Sequence, residues 1–156
     1  RFMMLSRSND VELDFDFDKV KEKTKDNPVF YVQYAYARIN SLFRTLNVNL
    51  DNKIKLNEEN FELNSNEKKI IRKIFEWPKV IESASKNFEL HKIPFYLYEL
   101  TTLFHSYWSK GNVDKKFKFI ENNEIKRIEI LAIINLVVVV IQNGMRILGV
   151  SLPKKM

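Results

Sequence analysis

PVFYVQYAYARINSLFR, residues 28 to 44, is the stretch on which the reading of this chain turns. Asn27 stands just before it, able to accept the first free backbone N–H groups of a helix, and Pro28 brings a preset φ to the first helical position. The residues that follow are helix-compatible without a break, so one helix is expected from Pro28 to near Leu46. At about 100° per residue, Tyr31, Tyr34, Ala35, Arg38 and Leu42 share one face, and Val32, Tyr36, Ile39 and Phe43 share another. Tyr31 and Arg38 are two turns apart, roughly 10 Å of axis, the length of about three stacked bases in a single-stranded loop. A phenol for stacking and a guanidinium for a phosphate or base edge are the groups that such an RNA loop needs. An amphipathic core helix with a few surface tyrosines carries the same pattern, and spacing alone leaves both readings open.

Outward from this helix, the chain reads as helical almost throughout. Before it come an irregular lead to Phe17 and a short helix near Asp18 to Lys25. After it, residues 49 to 66 are rich in asparagine and lack apolar periodicity, which favours a loop because the side-chain amides compete for backbone groups. Helix is expected again from Glu67, with Ile70, Ile71, Ile74 and Phe75 as its buried stripe. Pro78 should break or kink the chain after Trp77, and Val80, Ile81, Ala84 and Phe88 form a second stripe. Pro94 can open the next helix, in which Leu97, Leu100, Phe104 and Tyr107 recur at helical spacing and Gly111 is a plausible stop. A basic loop through Lys118 leads to a last helix from near Asn123 to Leu148, capped by Gly149. The four valines Val137 to Val140 have strand propensity, but the length of the apolar pattern argues for helix. The fold class expected is all-α, an antiparallel bundle of about five helices.

Composition narrows the classes. The chain has 156 residues and a net charge of +6, unevenly placed: residues 65 to 156 carry sixteen Lys and Arg against nine Asp and Glu, and residues 1 to 64 carry ten against eleven. An electropositive half suits a polyanion, since each cation near a phosphate releases condensed counterions; drift toward Lys, Asn and Ile yields the same balance without a partner. With no cysteine there is no disulfide framework or thiolate zinc site, which is compatible with a reducing cytosol. Nothing resembles a signal peptide. The most apolar run, ILAIINLVVVVI from Ile130 to Ile141, has twelve residues and contains Asn135, short of a bilayer span, so a buried helix and no membrane partner are expected. Residue 1 is an Arg inside the apolar run RFMML, so the chain is expected to begin within a longer polypeptide.

Catalytic and metal constellations are weak. Glu12, Asp14, Asp16 and Asp18 alternate with Leu13, Phe15 and Phe17, which on extended backbone sets four carboxylates on one face. A solvated face over a packed one is the commoner meaning, and no metal site is expected. His105 and Ser106 are neighbours, but adjacent helical residues diverge by about 100° and cannot form a nucleophile and base pair. Three glycines build no phosphate-cradling loop.

PVFYVQYAYARINSLFR at one end and NGMRILGVSLPKKM (143 to 156) at the other resemble the C-terminal, DALR-type anticodon-binding portion of arginyl-tRNA synthetases, the class I arginine-tRNA ligases. IPFYLYELTTLFHSYW (93 to 108) is similar to that family's Tyr-Leu-Tyr-Glu-Leu helix, and SRSNDVELDFDFD (6 to 18) to the segment that joins the catalytic core to the helical domain. Tyr36 stands where the family usually has His, Trp108 where Asn is usual, and residues 114 to 123 read as an expanded loop.

The resemblance implies that residues 1–26 end the connection to the catalytic core and residues 27–156 form the anticodon-binding domain. It implies that the parent enzyme, cytoplasmic and monomeric, attaches arginine to tRNA-Arg with ATP. The HIGH and KMSKS signatures of class I synthetases are missing from the chain, so this part is expected to bind neither ATP nor arginine and to be inactive alone. Its partners would be the anticodon loop of tRNA-Arg and the catalytic core of the same polypeptide. By the same resemblance Tyr31, Arg38, Tyr107 and Met156 fall on positions that contact the anticodon loop. Tyr31 and Tyr107 would stack on splayed bases, Arg38 would fork onto phosphate or base edge, and the carboxylate of Met156 would accept from a base amino group. The base read is expected to be the middle cytidine of the anticodon. Two other classes remain: a helical protein-interaction or scaffolding domain without RNA specificity, and a metal-dependent nuclease built on the carboxylate ladder. A severed seam to the catalytic core would leave Phe2, Leu5, Phe15 and Phe17 as an exposed patch.

Overall fold

Among the residues that the computed structural model describes (1–8, 11–12, 15–48 and 62–156), seven α-helices and one small hairpin order the chain. Two helices are short, α1 (Phe2–Leu5) and α2 (Phe17–Lys21). Five are longer: α3 (Pro28–Thr45), α4 (Ser65–Phe75), α5 (Trp77–Asn87), α6 (Lys92–Val113) and α7 (Ile128–Ile147). The expected all-α class is what the chain adopts. Most of the asparagine-rich loop and residues 13 and 14 of the carboxylate ladder lie outside the described residues.

α3 begins as its sequence implies. The Asn27 side chain accepts from the backbone N–H of Phe30 at 3.4 Å, and its amide donates to the carbonyls of Val20 and Glu22, both at 2.8 Å, so the cap also anchors α2. α4 starts two residues earlier than expected, because Asn64 and Glu67 form a reciprocal capping box over its first turn. Such a cap contributes about 1 kcal/mol.

Three sequence expectations are corrected by packing. Ile70 is buried, but Phe75 and Phe88, read as core, are 79% and 78% exposed. Each ends its helix, and Phe88 takes a left-handed φ of 57° that swings it off the helix face. Gly111 does not stop α6. It sits buried in the last turn, where an added Cβ would lie 3.1 Å from the Phe117 carbonyl oxygen and the Lys118 Cα, so glycine lets that backbone close on the helix. The last helix starts at Ile128 and not near Asn123, because residues 120 to 125 form a hairpin, β1 (Ile120–Glu121) paired antiparallel with β2 (Glu124–Ile125). Asn122 and Asn123 make its turn with φ of 51° and 63°, the left-handed pair that a two-residue hairpin demands and that asparagine tolerates. Gly149, just past α7, has φ 64° and fills its expected place.

α6 is the central helix, packed against α3, α4, α5 and α7. Its Leu97, Leu100 and Phe104 are fully buried among Ile134, Val137 and Ile141 of α7 and Val32 and Ile39 of α3. α6 runs antiparallel to α4, since Tyr96 meets Lys73 near one end while Tyr107 meets Glu67 at the other. α3 lies on α6 in the parallel sense, Tyr31 beside Tyr98 and Arg38 beside Trp108, so the bundle is not uniformly antiparallel. The excursion through α4 and α5 returns the chain to the end at which α3 began, so that α6 can run beside it in the same direction. α7, longer than its most apolar run, is long and apolar enough to cross a membrane by length and composition, yet 56% of that window is buried inside the bundle. Phe2 is also buried, 2% exposed, so of the expected seam patch Phe17 at 69% is the largest exposed part.

Candidate nucleic-acid interface

The outer edge of the α3–α6 seam carries a run of rings and one guanidinium. Tyr31 packs 5.5 Å from Tyr98 and 4.3 Å from His105, and Tyr34 stacks with His105 at 5.5 Å. Arg38 lies 4.4 Å over the Tyr34 ring and 5.2 Å from the Trp108 ring. The order is set by the helices: positions 31, 34 and 38 are one stripe of α3, and 98, 105 and 108 are its parallel neighbour on α6.

Hydrogen bonds hold the same groups. Arg38 Nη2 donates to the Tyr34 hydroxyl at 2.6 Å and Nη1 to His105 Nδ1 at 3.1 Å. A guanidinium has only donors, so Nδ1 must accept, and the remaining proton sits on Nε2, which donates to the Tyr31 carbonyl at 3.2 Å. The imidazole is therefore neutral. Burial lowers its pKa to about 4; the bond to the Tyr31 carbonyl opposes that shift and the nearby Arg38 charge adds to it. The Tyr31 hydroxyl is raised above its ordinary value by burial and by Tyr98, with Arg38 acting the other way, so it stays a donor.

Below this run opens a groove of about 490 Å³ lined by Tyr34, Arg38, Ser41, Arg44, Trp108 and Met156 among others. Its lining has three cations, Arg38, Arg44 and Lys155, and no acidic side chain. Met156 reaches it because the C-terminal tail is strapped along α3: Gln33 Nε2 donates to the Ser151 carbonyl at 2.8 Å and Arg44 Nη1 to the Lys154 carbonyl at 3.1 Å. The groove offers planar faces, a pre-held guanidinium fork and positive charge, the set that binds a splayed nucleotide.

Of the four residues singled out in the sequence, three lie on this surface. Tyr31 and Arg38 are half-exposed on the α3 stripe, and Met156, 54% exposed, lines the groove. Tyr107 is the correction to the expected stacking role: it is 3% exposed and faces away from the groove. Its hydroxyl donates to Glu67 Oε1 at 2.7 Å and accepts from Asn64 Nδ2 at 2.9 Å, and burial with the Glu67 carboxylate raises its pKa. Glu67 is itself fully buried and takes Arg127 Nη1 at 3.0 Å, so Tyr107 belongs to an internal polar network. Trp108, one residue on and about 100° round the helix, is the aromatic that faces the groove. Tyr34 and His105 were also missed as site members, although Tyr34 shares the Tyr31 stripe in sequence. The described acids of the ladder form no ligand cluster: Asp16 Oδ1 accepts from the Asp18 backbone, and no group of three or more His, Cys, Asp or Glu among the described residues could hold a metal ion.

An all-α domain with an aromatic, cationic groove between two parallel helices is the class that this geometry defines. The model of the DALR anticodon binding domain matches residues 32–156, and the chain belongs to that family. It is 53% identical to the arginine–tRNA ligase of Pelagibacter ubique and 42% identical to that of Agrobacterium fabrum, in each case over the whole chain. It spans 27% and 28% of the length of those relatives. A solved structure described as an arginyl-tRNA synthetase of Campylobacter jejuni superposes with a TM-score of 0.84 at 26% identity, over 99% of this chain and 32% of that one.

Proposed function

We propose that this anticodon-binding domain reads the anticodon loop of tRNA-Arg for an arginine–tRNA ligase, with the α3–α6 groove as the reading site. The observation that carries the proposal is the fixed Tyr31–His105–Tyr34–Arg38–Trp108 run above a groove with three cationic and no acidic side chains. In this reading Tyr34 and Trp108 flank a splayed base, Tyr31 extends the stacking surface, and Arg38 forks onto the base edge or its phosphate. Met156 lines the groove beside that base.

Residues 1–26 lead in from the catalytic core and residues 27–156 bind RNA. The whole enzyme, monomeric and cytoplasmic, joins arginine to tRNA-Arg at the expense of ATP, with both small substrates held by the catalytic core. This domain contributes binding energy and orientation, roughly 1 to 3 kcal/mol for each stacked base.

The test is the affinity of the chain for a tRNA-Arg anticodon stem-loop against the same hairpin with its middle cytidine replaced, at near-physiological salt. A several-fold preference for cytidine is expected. Equal affinity would leave the groove with charge alone and favour a helical interaction domain without RNA specificity.

A further inference from the structure

On the far side of Trp108 lies a second cavity of about 470 Å³, between the end of α6 and the hairpin. Trp108 and Ile120 line both hollows, so the groove and this cavity adjoin across the indole. Its other walls carry amides and cations. Asn112 comes from the last turn of α6, Asn122 and Asn123 from the hairpin turn, and Lys115 and Lys118 from the segment between. Neither Lys115 nor Lys118 has an ion pair among the described residues, whereas the one acid in the wall, Glu121, lies 3.6 Å from Lys126. The buried Gly111 lets residues 117 and 118 close on α6, which gives the cavity its inner wall.

We propose that this cavity is a second nucleotide subsite, taking the loop nucleotide next along the RNA from the one in the groove. An asparagine amide both donates and accepts, so Asn112, Asn122 and Asn123 can match the Watson–Crick edge of a splayed base. Lys115 and Lys118 meet its phosphate. Trp108 is the wedge between the two bases. A protein partner fits less well, because it would have to desolvate three side-chain amides and two cations that have no ion pair among the described residues. The inference rests on the reading of the groove as an RNA-loop site.

The experiment uses the whole chain and the tRNA-Arg anticodon stem-loop with abasic substitutions, one at a time, at the two nucleotides flanking the middle cytidine. N122G/N123G removes both amides and keeps the left-handed turn, since glycine accepts positive φ. Removal of one flanking base is expected to weaken wild-type binding by about threefold or more. The same removal should cost N122G/N123G nothing. K115A/K118A should make the slope of log affinity against log salt shallower by about 0.7 for each phosphate left without its lysine. A flanking-base penalty that is equal in wild type and variant, with the cytidine preference intact, overturns the subsite and leaves the groove reading standing. Absence of any cytidine preference in the wild-type chain overturns both.

Discussion

Arg38 on α3 and His105 on α6 meet with Nη1 3.1 Å from Nδ1, and the contact exists only while the imidazole is neutral. A doubly protonated ring has no acceptor to offer, and a second cation at that distance would repel the guanidinium. The histidine therefore positions the arginine: its Nε2–H is tied to the Tyr31 carbonyl, and its Nδ1 aims the fork along the groove.

Replacement of Arg38 with Ala should reduce hairpin affinity about tenfold or more, the range for a charge-assisted hydrogen bond, and abolish the preference for cytidine. Arg38→Lys should not restore it, because an ammonium cannot hold the Tyr34 hydroxyl and His105 together while offering a fork. Titration of labelled cytidine and cytidine-replaced hairpins decides this.

Protonation of His105 sets an acid limit on stability. The unfolded histidine takes up a proton below about 6.5, and the folded one refuses it until about 4. The contribution is thus complete above pH 6.5 and is lost as pH falls toward 4, by up to about 3 kcal/mol. Urea unfolding of wild type and His105→Gln across that window should show the wild type losing more. Identical losses would assign the acid sensitivity to carboxylates.

Tyr107→Phe should cost about 1 to 2 kcal/mol of stability, because the buried Glu67 loses a donor, and should leave hairpin affinity unchanged. Trp108→Ala should weaken hairpin binding by about 1 to 3 kcal/mol, besides a loss of stability from its packing on Phe104 and Phe119. Chemical denaturation and hairpin titration of both variants separate the two adjacent aromatics.

Arg127→Ala strips the buried Glu67 of its charge partner and should destabilise the domain by about 3 to 5 kcal/mol. The double variant with Glu67→Gln should recover part of the loss, which a thermal melt of the three proteins will show.

The helices were legible in the sequence to the extent that their signals were local. Asn27 with Pro28 and Gly149 marked ends that the structure keeps, and Pro78 and Pro94 lie within the first turns of α5 and α6, since caps and fixed φ values act within a turn. Phe75 and Phe88 were misread because a hydrophobic stripe says which face is apolar and not where a neighbour stops covering it. The hairpin at residues 120 to 125 was hidden in a two-residue Asn-Asn turn between strands of two residues each, too short for an alternation to show.

The sequence by itself determined the all-α class, the tyrosine and arginine stripe of α3 and the excess of cations in the second half, because each follows from periodicity, caps or charge count. Which aromatic of α6 faces the groove, the neutral state of His105 and the seating of Met156 beside Arg38 were decided by the tertiary structure alone. Tyr107 and Trp108 differ by one step of a helix, and only the packing of α4 and α7 on one side and α3 on the other sends the first inward to Glu67 and the second outward to the groove.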